Sequence, residues 1–235
     1  MRRRSFVKVC ALGAGAMAAG PGLLFSSDLV RREYSRVRLV DFHGQPLRPA
    51  ELSPQRHYVF NYPYLATPCF LLNLNRPVPG LNGLSTEQGD RYAWQGGVGP
   101  QRSLVAYSAI CAHKMAHPTT AVSYISFRQP RNGDDPETGV ISCCAENSVY
   151  DPFRGGRVIS GPAPQPLAAI VLEYDAENDA LYAQGTLGGE MFRRFFSEFE
   201  ARLSLEYPDG DAARPLEGDV EVIPLERYSA NIMQC

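Results

Sequence analysis

One apolar run, residues 103–110, passes directly into Cys111-Ala112-His113. A second and shorter one, Val140-Ile141-Ser142, passes into Cys143-Cys144-Ala145-Glu146-Asn147. Both runs are strand-length, so their donor residues leave the ends of two strands rather than one face of a helix. Thiolates combined with nitrogen or oxygen donors suit iron or zinc, and strands hold such loops at a fixed spacing. A fold for this chain must therefore bring two loops together around one centre.

The rest of the chain supports a mostly β fold. With 21 Gly and 19 Pro it is rich in turn formers. Runs of β-branched and aromatic residues recur between turns at 37–40, 58–60, 69–74, 121–127, 170–174 and 180–183, the last two forming a hairpin. Residues 128–139 form a polar loop rich in Pro, Gly and Asp. One helix is expected over 189–203, where Met191, Phe192, Phe195, Phe199 and Leu203 recur at helical spacing and serve packing or docking on a partner. The tail, 204–235, is polar with few turns of clear structure.

Charge excludes one class of function. The 23 Lys and Arg nearly balance the 25 Asp and Glu, and without a basic field nucleic-acid binding is not expected. No Walker loop, Rossmann glycine pattern or nucleophile–base pair appears. No substrate-converting site is therefore expected on this chain alone. The six cysteines, at 10, 69, 111, 143, 144 and 235, are too unevenly spread for a disulfide scaffold. Cys69 reads as core and Cys235 as a lone tail thiol. His43 and His57 read as surface groups and Trp94 as packing.

The chain opens Arg2-Arg3-Arg4-Ser5-Phe6-Val7-Lys8, followed by an Ala/Gly-rich apolar stretch over 9–25. This is similar to a twin-arginine signal, which implies export of a folded, cofactor-loaded protein to the periplasm. Ala16-Met17-Ala18 offers a cleavage site, and a retained anchor in the inner membrane is the other option.

In their order along the chain these motifs resemble those of the Rieske iron–sulfur protein family. The C-x-H loop is followed by Ser148-Val149-Tyr150-Asp151 and then by Gly161-Pro162-Ala163-Pro164-Gln165-Pro166-Leu167. Upstream, Gly97-Val98-Gly99-Pro100 and residues 104–108 are similar to the approach in arsenite oxidase small subunits. The likeness also extends to Rieske subunits of cytochrome bc complexes and covers about residues 55–190. It implies a Rieske-like antiparallel β-sandwich over 28–188, with an inserted cluster-binding subdomain near 108–166. Residues 1–27 are then the signal or anchor, and 189–235 the C-terminal helix and tail. The resemblance further implies a [2Fe–2S] cluster with two thiolates on one iron and two imidazoles on the other. Its potential lies at roughly −150 to +300 mV. The redox partner would be a cytochrome, a molybdoenzyme or a cytochrome bc-like subunit.

The second loop departs from the family pattern, C-x-x-H. With Cys143 as the thiolate, Glu146 stands in the histidine's place; with Cys144, Asn147 does. Candidate ligands are therefore Cys111, His113, Cys143, Cys144 and Glu146, with His117 as a further option beside Pro118. Glu146 or a third thiolate adds negative charge and lowers the potential. The family's usual loop-to-loop disulfide is missing, since its positions hold Ala116 and Ala145. A zinc site from Cys111, His113, Cys143 and Cys144 is an alternative, as is a bond from Cys111 to one of the paired cysteines. So is a Rieske-derived docking subunit that has lost its cluster.

Overall fold

The computed structural model of the chain describes residues 30–54, 56–128 and 139–235. The twin-arginine segment and most of the polar loop lie outside the described residues. No described helix is long and apolar enough to cross a membrane.

In chain order the strands are β1 (Arg31–Val40), β2 (His57–Asn61), β3 (Pro68–Asn73), β4 (Leu81–Ser85), β5 (Arg91–Trp94), β6 (Leu104–Ser108), β7 (Val122–Ser123) and β8 (Ile125–Arg128). Then come β9 (Val140–Cys143), β10 (Ser148–Asp151), β11 (Arg157–Ser160), β12 (Ala169–Asp175), β13 (Ala180–Leu187), β14 (Gly218–Glu221), β15 (Ile223–Pro224) and β16 (Asn231–Ile232). Eight of them form one sheet in the order β14-β1-β13-β12-β6-β3-β2-β15. A four-stranded sheet, β11-β10-β9-β8, falls inside the 108–166 interval and carries the second loop. The fold is mostly β, as expected.

The near-continuous apolar runs have a physical cause: both faces of the central strands are buried. Along β3 and β6, Phe70, Leu72, Val105 and Tyr107 face one core. Cys69, Leu71, Leu104 and Ala106 face the other. The first core includes Ile125, Phe127, Ile141, Cys143 and Tyr150, so it joins the small sheet to the large one. Cys69 and Trp94 are both core residues, as read from the sequence. His57 is not a surface group: its ring stands edge-on to Phe127 at 6.2 Å, and burial lowers its pKa.

Two stretches differ from expectation. The tail has more structure than its polar sequence suggests. β14 adds in parallel to β1 at one edge of the large sheet, and β15 adds antiparallel to β2 at the other. Because β14 and β15 are nearly consecutive, the tail links the two edges. These strands are two to four residues long, too short to show a period of two.

The expected single helix is two short ones, α1 (Phe192–Glu198) and α2 (Glu200–Glu206), meeting at Phe199 with φ −106° and ψ 13°. No glycine or proline marks the joint, so the apolar period runs through it. The apolar stripe packs as expected: Phe192, Phe195 and Leu203 are buried with Ile110 and Met115 of the first loop. A third helix, α3 (Leu225–Tyr228), precedes β16.

His117 lies between Phe195 and Phe199, edge-on to both rings at 4.8 and 4.9 Å. Replacing Phe195 by Ala is expected to cost about 3–5 kcal/mol in urea unfolding, because the ring is fully buried. Burial also holds the His117 imidazole below its ordinary 6.5. As pH falls through 6.5 the unfolded chain takes up this proton before the folded chain does, so stability drops. His117→Gln should flatten that acid limb in unfolding curves taken at stepped pH.

Candidate metal centre

The first loop begins at the end of β6. It is closed by two backbone hydrogen bonds, Cys111 N–H to Ala116 O and Met115 N–H to Cys111 O, each 2.9 Å. Met115 takes a positive φ of 52° at the turn. The second loop is the β9–β10 hairpin, with Cys143 opposite Ser148. Asn147 turns it with φ 58°, a conformation that Asn tolerates better than most residues. The third, proline-rich loop approaches closely at Gly161, where a Cβ would stand 2.6 Å from Ser148 Cα. Gln165 pins this loop, accepting from Glu87 N–H at 2.8 Å and donating to Gly189 O at 2.7 Å.

Cys111 and Cys143 are free thiols, each 1% exposed, and they share a hydrogen bond. Tyr150 Oη lies 3.1 Å from Cys111 Sγ and accepts from Ala112 N–H at 3.2 Å. With a lone pair engaged by Ala112, the phenol is placed to donate its proton to the sulfur. The Cys143 hydrogen bond, then Tyr150 and backbone N–H groups, hold Cys111 below the ordinary thiol range against the opposing effect of burial. Cys143 is pushed up, chiefly by Cys111 and then by burial. The pair thus favours one thiolate and one thiol, a single negative charge shared by two sulfurs.

Two buried polar atoms in these loops have no protein partner: His113 Nδ1 and Ser148 Oγ. An unsatisfied buried imidazole nitrogen two residues from Cys111, and a hydroxyl opposite Cys143, suit a group that accepts a ligand and a hydrogen bond. Three of the four donors a Rieske-type cluster needs are therefore in keeping with the site. At the fourth position, Glu146 Oε1 is 3.6 Å from Lys114 Nζ, and both side chains are about half exposed. Among the described residues, no three His, Cys, Asp or Glu side chains converge on a single metal ion. A two-iron group divides its protein donors between two irons, two to each, so it does not require that convergence.

Several candidates drop out. Cys144 is not a ligand: its sulfur is bonded to Cys235 and is no thiolate. Cys235 is therefore no lone thiol, and the zinc set that used Cys144 is lost. Asn147, tied to the Cys144 register, loses its candidacy too. His117 turns away, its Nδ1 2.8 Å from Met115 O. The disulfide could have been suspected from the spare cysteines of a chain expected to be exported. The roles of Ser148 and Tyr150 lie in the same short motif that fixes the register.

No family model matches the chain. It is 29% identical over 196 residues to the iodate reductase subunit IdrB of Denitromonas iodatirespirans, covering 80% of this chain and 82% of that one. It is 26% identical over 178 residues to IdrB of Pseudomonas sp. strain SCT, covering 74% and 71%. Among solved structures it is similar to the soluble domain of Rieske protein II from Sulfolobus acidocaldarius, with TM-score 0.47 and 24% identity. That match covers 67% of this chain and 82% of the other.

Tyr150→Phe is expected to raise the pH at which the first thiolate forms in the metal-free chain above that of wild type, because the phenol no longer donates to Cys111. Ultraviolet thiolate absorbance against pH reads this directly. An unmoved titration contradicts the assigned donor.

Proposed function

We infer that this chain, which belongs with the Rieske iron–sulfur proteins, is the electron-transfer subunit of an exported oxidoreductase and holds a [2Fe–2S] cluster of altered ligation. The observation that carries the reading is the buried pair Cys111 and Cys143 under Tyr150, in loops that also contain the unpartnered His113 Nδ1 and Ser148 Oγ. Cys111 and Cys143 would hold one iron, and His113 with Glu146 the other. When bound, the cluster supplies one-electron transfer. Tyr150 and Ser148 offer hydrogen bonds to sulfur, which favours the reduced, more negative state.

Glu146 replaces a neutral imidazole by a carboxylate, and the added charge lowers the potential relative to ordinary Rieske proteins. Lys114, 3.6 Å away, offsets part of that charge, though solvent weakens so exposed a pair. Only one imidazole remains to titrate, so a coupled proton step through a second histidine is lost. Likeness to IdrB supports a partner within an oxidoreductase complex, with a molybdoenzyme or a cytochrome as the electron-exchange partner. Export by the twin-arginine route, with the leader cleaved or kept as an inner-membrane anchor, rests on residues 3–8.

One observation favours a second reading, a docking subunit without a cluster: Glu146 is exposed and paired with Lys114 rather than turned inward. Iron and acid-labile sulfide on anaerobically purified protein separate the two. The electron-carrier reading expects about two of each per chain. Cys111→Ser and Cys143→Ser should abolish them, and Glu146→His should raise the potential. Less than about one iron per chain in the wild type overturns it.

A further inference from the structure

The tail touches both cluster loops. Beyond α3, Ser229 Oγ donates to Thr119 O at 2.6 Å and Ala230 N–H to Thr120 O at 2.8 Å. β16 then runs parallel to β7, and Met233 N–H donates to Ser123 O at 2.9 Å. All of these partners lie on the chain leaving the first loop. Two residues later the tail reaches the second loop, where Cys235 is bonded to Cys144, beside Cys143. The Cα atoms of the bonded pair are 5.5 Å apart, and 91 residues separate them in sequence. The Arg128 guanidinium bridges the same point, donating to Cys235 O and to Ser142 Oγ. Cys144 N–H also donates to Tyr124 O at 2.6 Å.

We propose that residues 229–235 form a strap, closed by the Cys144–Cys235 disulfide, that positions both cluster loops. The strap holds the first loop through hydrogen bonds and the second through a covalent bond. Cys144 and Cys235 are positioning residues: they act through Cys143 and the β9–β10 turn and do not touch the cluster. Only the effect on iron rests on the cluster reading; the effect on the loops does not.

Hydrogen–deuterium exchange on the full chain, stripped of metal by a chelator, tests the strap. In Cys235→Ser, amides of residues 111–123 and 141–149 should exchange at least about tenfold faster than in wild type, with β3 and β6 unchanged. Cys144→Ala should give the same increase, and the double variant no more than either single change, because all three remove one bond. Unchanged loops overturn the strap. So does faster exchange spread evenly over both sheets, which marks a general staple. If these variants do not fold, wild type treated with a dithiol reductant is compared in the same way.

The iron-loaded protein gives a second readout. The reduced-state EPR lines of Cys235→Ser should be broader than those of wild type at a temperature where both proteins are fully folded. Identical lines contradict positioning. A wild type that binds no iron refutes the cluster reading, while exchange on the metal-free chain still decides the strap.

Discussion

The site depends on two sulfur atoms buried against each other. Two buried thiols coupled to each other do not both ionise readily, so their environment determines which one does. Tyr150 does this by accepting from Ala112 and turning its proton towards Cys111. The geometry needs three elements in register: β6 to end at the first loop, β9 to end at Cys143, and β10 to bring Tyr150 beneath both. The shared core of Tyr107, Ile141, Cys143 and Tyr150 fixes that register by packing.

Around this centre the chain uses its sequence-distant ends as supports. β14 and β15 add to opposite edges of the large sheet, α1 and α2 pack beneath the first loop, and β16 with Cys235 reaches the small sheet. Much of the tail is hydrophilic because its contribution lies in backbone pairing, one covalent bond and a few anchors such as Val220 and Leu225. Contacts over such sequence distances carry a larger closure entropy, which the disulfide reduces by constraining the unfolded chain.

Local patterns were legible in the sequence, and distant pairings were not. The runs at 69–74 and 103–110 read as strands, and they are near-continuously apolar because both faces of β3 and β6 are covered. The C-x-H element, the Ser148–Asp151 motif and the proline-rich loop pointed to the three loops that meet. The break at Phe199 left no mark because the stripe from Phe192 to Leu203 keeps its period across it. The choice between Cys143 and Cys144 could not be made locally, since adjacent thiols are chemically alike. It was made by Cys235, which lies 91 residues away. The same bond favours the register in which Glu146 takes the altered position of the proposed ligand set.

The proposed cluster is held by two thiolates, one imidazole and one carboxylate. Nitrogen hyperfine couplings in the pulsed EPR spectrum of the reduced wild-type protein test it most directly. Strong coupling to the nitrogen of one directly bound imidazole, that of His113, is expected, and its loss in His113→Ala. Coupling to two bound imidazoles, or to none, would contradict it.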